Sequence, residues 1–179
     1  PVAFEASFEV NGVPVTVKLT GDLLGDGKMK LTLDAAKPVR FELQLRLPDW
    51  ADNIEFDMPD EYGEMAFESG FAWLDREWSA GDSIGILLEA EPRWLVADPR
   101  NLDCLGRVAL RYGPLIYCAE EAGNGFAPQA YAVDPEGELE LQPGEAPLGL
   151  TQIVASGVVT MPSVEGEAAQ PYEGFEAEE

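Results

Sequence analysis

The sequence contains no histidine. Without an imidazole there is no Ser-His-Asp triad, no Cys-His pair and no His-Glu-x-x-His zinc helix, so the commonest nucleophilic and zinc-assisted routes to hydrolysis are closed. Cysteine is nearly absent too. Cys104 and Cys118 are the two in 179 residues, too few for a disulfide framework or, alone, for a structural zinc site, which takes four Cys or His ligands. No apolar run approaches the ~20 residues that cross a bilayer. Positive charge is scarce: 11 Lys and Arg stand against 34 Asp and Glu, for a net charge of −23. That balance excludes the Lys/Arg-rich faces by which proteins hold duplex DNA or anionic membranes, so neither nucleic acid nor a membrane is an expected partner. A basic-then-apolar leader is also missing. The chain opens on Pro1, a beginning compatible with a processing boundary, and the lack of a leader leans slightly toward the cytoplasm without fixing a location.

What is present suffices for a core. Apolar residues make up 46% of the chain and aromatics 9%, a globular rather than a disordered balance. Val39, Phe41, Leu43, Leu45 and Leu47 alternate with Arg40, Glu42, Gln44 and Arg46, which puts the apolar set on one face of a strand. Phe4 and Phe8 stand at even spacing before Asn11-Gly12, and Val13, Val15, Val17 and Leu19 follow it. Asn-Gly between alternating runs predicts a tight hairpin. Met29-Leu31-Leu33, Phe71-Trp73-Asp75, Ile84-Ile86-Leu88 and Val108-Leu110-Tyr112 repeat the alternation, and Pro48, Pro59, Pro92, Pro99 and Pro114 interrupt windows long enough for a helix. Gly113-Pro114 falls between two strand-like runs, where it is expected to mark a bend or a switch between sheets. The expected fold is all-β, an antiparallel β-sandwich or jelly roll.

Charge divides the chain. Every Lys and Arg lies at or before Arg111, and beyond Glu121 the sequence thins into Gly, Pro, Ala and Glu, with strands expected only at 138–141 and around 153–159. The expectation is a β-sandwich domain over 1–122 and an acidic C-terminal extension over 123–179, partly packed as strands and frayed over its last dozen residues. Solubility or salt tolerance accounts for the acid excess more simply than a dedicated ligand.

Three stretches arrive in order: Leu45-Arg46-Leu47-Pro48-Asp49-Trp50-Ala51, then Arg76-Glu77-Trp78-Ser79-Ala80-Gly81-Asp82, then Gly106-Arg107-Val108-Ala109-Leu110-Arg111-Tyr112-Gly113-Pro114-Leu115-Ile116-Tyr117-Cys118-Ala119-Glu120. Their order and spacing resemble the C-terminal β-sandwich region that follows the catalytic barrel in glycoside hydrolase family 127, the bacterial β-L-arabinofuranosidase family that was formerly a domain of unknown function. The resemblance runs from about residue 19 to 121. Tyr112 stands where the family usually has Arg, and residues 54–62 replace its Asn-Gly hairpin. The resemblance implies an accessory domain of a glycoside hydrolase that braces the catalytic (α/α) barrel of a parent enzyme and contributes to its substrate cleft. A homo-oligomer partner is the alternative cover for the same surface. It implies no catalysis by this chain, because the family's zinc-bound cysteine nucleophile sits in a paired Cys-Cys-Pro-Pro type motif on the helical barrel, and neither that motif nor the segment of its zinc-completing glutamate is found here. No catalytic residue, metal ligand or cofactor is therefore assigned.

Two groups of residues invite a functional reading beside a structural one. Trp50, Trp73, Trp78 and Trp94 can cap the core or meet a neighbouring domain, or one of them can stack on the apolar C–H face of a sugar ring, which would make the chain an independent carbohydrate-binding module. Asp57, Asp60, Glu61 and Glu64 cluster in an expected loop and offer oxygen ligands for calcium, without the ordered spacing of an EF-hand. With 34 acids, no pair of carboxylates can be singled out for glycoside hydrolysis. The turn Ala80-Gly81-Asp82 is expected to be structural.

Overall fold

In the computed structural model, which describes residues 3–144, 149–162 and 175–178, nearly every regular element is a strand. The contacts divide the chain into two units, Pro1–Glu91 and Pro92–Glu179. This division falls earlier than the change of composition near residue 122. Charge composition records what faces water, whereas the division follows strand pairing, and the strands on either side of Arg111 pair with partners after Pro92.

The first unit holds β1 (Phe4–Val10), β2 (Val13–Asp22), β3 (Lys28–Ala35), β4 (Val39–Arg46), β5 (Asn53–Asp57), β6 (Ala66–Glu68), β7 (Phe71–Trp78) and β8 (Ser83–Glu89). They form a five-stranded sheet of order β1-β2-β3-β8-β5 and a three-stranded sheet of order β4-β7-β6. Every pairing is antiparallel. Asn11 and Gly12 both take positive φ, 51° and 72°, and close the two-residue loop between Val10 and Val13, the geometry that a type I′ hairpin requires. Gly27 is a second backbone necessity. Its φ is 71° and a Cβ there would run into the Leu88 carbonyl, while Leu88 N–H donates to Gly27 O at 3.0 Å.

Alternation settles which side chains are buried. Val13, Val15 and Val17 of β2, Leu31, Leu33 and Ala35 of β3 and Ile84 of β8 come from the wide sheet, and Val39 of β4 with Leu74 and Trp78 of β7 from the narrow one; together with Tyr62 they make one buried cluster. Two sheets thus share a core. Burying each such Val, Leu or Ile contributes roughly 1.5–3 kcal/mol. In β7 the buried set is Ala72, Leu74 and Trp78, so the run Phe71-Trp73-Asp75 that marks the strand in the sequence lies on its outer side.

The second unit contains β9 (Arg93–Val96), β10 (Val108–Tyr112), β11 (Leu115–Tyr117), β12 (Tyr131–Val133), β13 (Leu139–Gln142), β14 (Gln152–Ala155), β15 (Gly157–Pro162) and β16 (Phe175–Glu178). Its sheets are small: β11-β10-β9, β12-β15-β16 and β13-β14. Tyr112 pairs directly with Leu115, so Gly113-Pro114 is the tip of a two-residue hairpin, with Gly113 at φ 55°, and not a switch between sheets. Part of the tail expected to fray is a strand, since β16 pairs with β15 through Pro162↔Phe175 to Val159↔Glu178; residues 168–174 and 179 of that tail lie outside the described residues. Among the described residues no sheet closes into a barrel.

Candidate functional site

The second sequence motif builds a closed polar cluster at the edge of the first unit's core. Strand alternation turns Arg76 toward the same side as Leu74 and Trp78. Its guanidinium carbon lies 3.5 Å from the Tyr62 ring centroid and 4.8 Å from that of Trp78, held between two aromatic faces that attract a cation. Nη2 of Arg76 reaches Asp82 Oδ2 at 3.3 Å, with both side chains largely covered. The same carboxylate oxygen accepts the Ser79 N–H at 2.9 Å, the Tyr62 hydroxyl accepts the Ser83 N–H at 3.2 Å, and Trp78 Nε1 donates to the Phe41 carbonyl at 3.0 Å. Nearly every polar atom is spent on a neighbour. Arg76 Nη1 is the exception, buried without a partner. Because these groups are bonded to one another, the motif acts as a clamp that pins the 3-10 turn Asp60–Tyr62 and the turn before β8 onto the core.

The outer side of β4-β7-β6 is different in kind. Phe71 and Trp73, both half-buried, have ring centroids 6.3 Å apart at an interplanar angle of 69°, and Trp73 Nε1 donates to the Glu68 carbonyl at 3.5 Å. Gln44 and Arg46 stand opposite them on β4, and Gln44 Nε2 donates to Glu42 Oε1 at 3.1 Å. Farther along, Arg40 makes a two-pronged pair with Asp75 at 3.2 and 2.9 Å. The hydrogen bond from Arg40 holds the Asp75 carboxyl below its ordinary range, against an opposing effect of burial. This face joins aromatic rings to exposed donors and acceptors.

The other tryptophans do not join it. Trp78 is 0% exposed and its ring is covered by Phe41, Tyr62 and Arg76, which removes it as a sugar contact. Trp50 is half-buried in the turn Pro48–Ala51, closed by Ala51 N–H to Pro48 O at 3.2 Å. Trp94 lies in the second unit opposite Leu110, with Nε1 buried and unpartnered. There, too, Tyr117 donates its hydroxyl to the Thr151 carbonyl at 2.8 Å, and burial, then neighbouring Tyr112, raises its pKa.

The acidic segment does not assemble. Asp57 ends β5, Asp60 and Glu61 begin the 3-10 turn, and among the described residues no three His, Cys, Asp or Glu side chains group as metal ligands. The residue that matters in that segment is Tyr62, buried under Arg76 and Trp78 and passed over in the sequence because it stands among acids. Its Pro59 start and Gly63 stop were the available signals. Cys104 and Cys118 are both free thiols.

The first unit also carries a concavity among its described residues. An apolar groove of about 210 Å³ opens between the two sheets, lined by Phe4, Leu23, Leu45, Leu47, Phe56 and Leu88 among others, with Arg46 as its charged residue. It holds no convergent polar groups.

Comparison with known proteins adds the context. Residues 2–90 match the family model described as the beta-L-arabinofuranosidase, GH127 middle domain, and residues 92–172 match that of the glycoside hydrolase family 127 C-terminal domain. The two matches meet where the contacts divide the chain. A non-reducing end beta-L-arabinofuranosidase of Bifidobacterium longum subsp. longum is 28% identical over 116 residues, which are 62% of this chain and 17% of that protein. The crystal structure of a GH127 beta-L-arabinofuranosidase from Geobacillus stearothermophilus T6 superposes with a TM-score of 0.80 at 25% identity, covering 97% of this chain and 28% of that one. A GH127 beta-arabinofuranosidase gives a TM-score of 0.79 at 20% identity over 98% of this chain and 29% of its own. The chain spans less than a third of the length of these relatives.

Proposed function

The chain belongs to glycoside hydrolase family 127, of which it carries the middle and C-terminal domains, and from that premise we propose that it is the non-catalytic part of a β-L-arabinofuranosidase-like enzyme, bracing the catalytic domain and walling one side of its substrate cleft. The observation that carries this reading is the pairing of two end-to-end domain matches with a sequence that has no histidine and no paired cysteines. The polar cluster around Arg76 supports it, because its groups are committed to one another. Two assays test it. This chain alone should leave an aryl β-L-arabinofuranoside intact, whereas the full-length parent cleaves it; turnover by the chain alone would sink the non-catalytic reading. Deleting the chain from the parent should lower both kcat/KM and Tm, and a deletion that leaves both unchanged would sink the bracing role.

A second reading rests on the outer aromatic pair. Phe71 and Trp73 beside Gln44, Glu42 and Arg46 offer a ring face and hydroxyl partners together, the combination that holds a sugar. Titrating arabino-oligosaccharides while following tryptophan fluorescence should give a saturable change that Trp73→Ala removes. No change at millimolar sugar rules this reading out.

A further inference from the structure

We infer that the partly uncovered core-side face of β1, together with the apolar groove beside it, is the surface on which the preceding catalytic domain of the parent docks; this rests on the bracing role proposed above and locates it. The wide sheet has five strands and the narrow one three, so the wide sheet overhangs. The register places Phe4 opposite Leu19, Ala6 opposite Val17 and Phe8 opposite Val15, and directly opposed residues point to the same face of a sheet. Val15 and Val17 on that face are 1% and 7% exposed, yet Phe4 and Phe8 are 48% and 44% exposed. These two phenylalanines therefore point the way the core points but are only partly covered there: Phe8 meets the Phe41 ring edge-on at 6.4 Å and otherwise, like Phe4, stays open to solvent. Phe4 also lines the groove, which continues the apolar surface toward Leu23, Leu45 and Leu47.

Chain direction and length select the occupant. The match to this unit is to a middle domain and the chain covers 28% of a solved relative, so in a parent of that size the polypeptide entering β1 comes from a larger domain and arrives at Phe4. Covalent linkage raises the effective concentration of that domain at this face, to about the millimolar range for a short flexible linker, so a modest apolar patch suffices to hold it. The acid-rich part of the first unit's surface is poorly suited to docking. Residues 1–91 carry 19 acids against 7 Lys and Arg, and a charged surface resists the desolvation that association requires.

Neighbouring positions on one strand make the test. Ala6 and Ser7 are both exposed and point to opposite faces of β1. Ala6→Cys and Ser7→Cys are introduced separately into this chain and into the full-length parent, and maleimide labelling of the β1 peptide is followed by mass spectrometry. In this chain both should label at similar rates; in the parent, Ala6→Cys should slow roughly tenfold or more while Ser7→Cys is unchanged. Protection of Ser7→Cys alone, or equal protection of both, overturns the assigned face while leaving the bracing role to the deletion assay. No protection of either, with the deletion still harmful, does the same. Protection of Ala6→Cys already in this chain, with a dimeric sedimentation coefficient, would assign the face to a second copy and overturn the inference.

Discussion

The two units carry nearly the same charge imbalance and nearly opposite interiors. Residues 1–91 hold 19 acids and 7 basic residues, and residues 92–179 hold 15 and 4. Yet among the described residues every buried apolar side chain except Leu110 belongs to the first unit. Strand length tracks this: β2 runs ten residues, while the longest strand of the second unit, β15, runs six. Short strands make few cross-strand pairs, and a sheet needs an apolar face packed on something to be stable in water. Val96 and Leu102, both 75% exposed, and Leu105 at 68% are residues of core type that found no core. Acidic charge is thus shared between the units, and the extent of buried packing is not.

The largest predicted effect would break the stronger unit. Trp78→Ala removes a side chain that is 0% exposed, the ring under Arg76 and the donor to the Phe41 carbonyl. It should cost about 3–5 kcal/mol, seen as a lower urea midpoint for loss of strand signal. Leu110→Ala probes the other side of the comparison and should cost about 2 kcal/mol, the low end for such a truncation, because its surroundings are open enough to relax. Hydrogen exchange supplies the check: amides of β10 and β11 should exchange well before those of β2 and β3. Equal protection in the two units would dissolve the contrast between them.

Much of the first unit could be read from its residues because its strands bury one face and wet the other. The Asn11-Gly12 hairpin and the strand from Val39 follow from local rules, and the structure has both. The alternation at β7 named the strand but not the buried side, since Phe71 and Trp73 look more like core than Ala72 and Arg76 do. Only the guanidinium sandwich between Tyr62 and Trp78 makes an inward Arg76 sensible, and Tyr62 is fourteen positions away in sequence. Such a contact leaves no periodic trace. The second unit was harder for the converse reason: a strand such as Tyr131–Val133 is too short to show a period, and pairing rather than composition fixed the division at Glu91. The tryptophan candidates divided along the same line. Trp78 became core, and Trp73 an outer-face residue whose value depends on neighbours from β4.

A smaller effect tests whether the clamp depends on charge or on shape. Arg76→Lys keeps the cation but loses the planar group that lies between the two rings, and should cost about 1–2 kcal/mol. Tyr62 fluorescence and the exchange of amides at 60–65 should report the loosened turn. If Arg76→Lys matches the unsubstituted chain in both, the stacking contributes nothing and the turn is held by Tyr62 burial alone.

The smallest effect lies in the second unit, where the prominent ion pair joins residues two apart. Arg100 donates to Asp98 through Nε at 2.9 Å and Nη2 at 2.6 Å, and its backbone N–H donates to the same carboxylate at 2.9 Å. Those side-chain bonds first, then the backbone bond, lower the Asp98 pKa from 3.8 to about 2. A carboxyl whose folded value is depressed adds stability that is present above its ordinary value and lost as pH falls through the depressed one, here between about pH 4 and pH 2. The pair is exposed to solvent, where water screens it and both groups sit on one short turn, so it ties no distant parts of the chain together. Arg100→Gln should therefore move the Asp98 titration up toward the ordinary carboxylate range, read by carbon-detected NMR, while the urea midpoint of the second unit at pH 7 stays where it was. A clear fall in that midpoint would mean that local ion pairs, rather than missing apolar contacts, set the stability of this unit, and the contrast between the units would have to be redrawn in electrostatic terms.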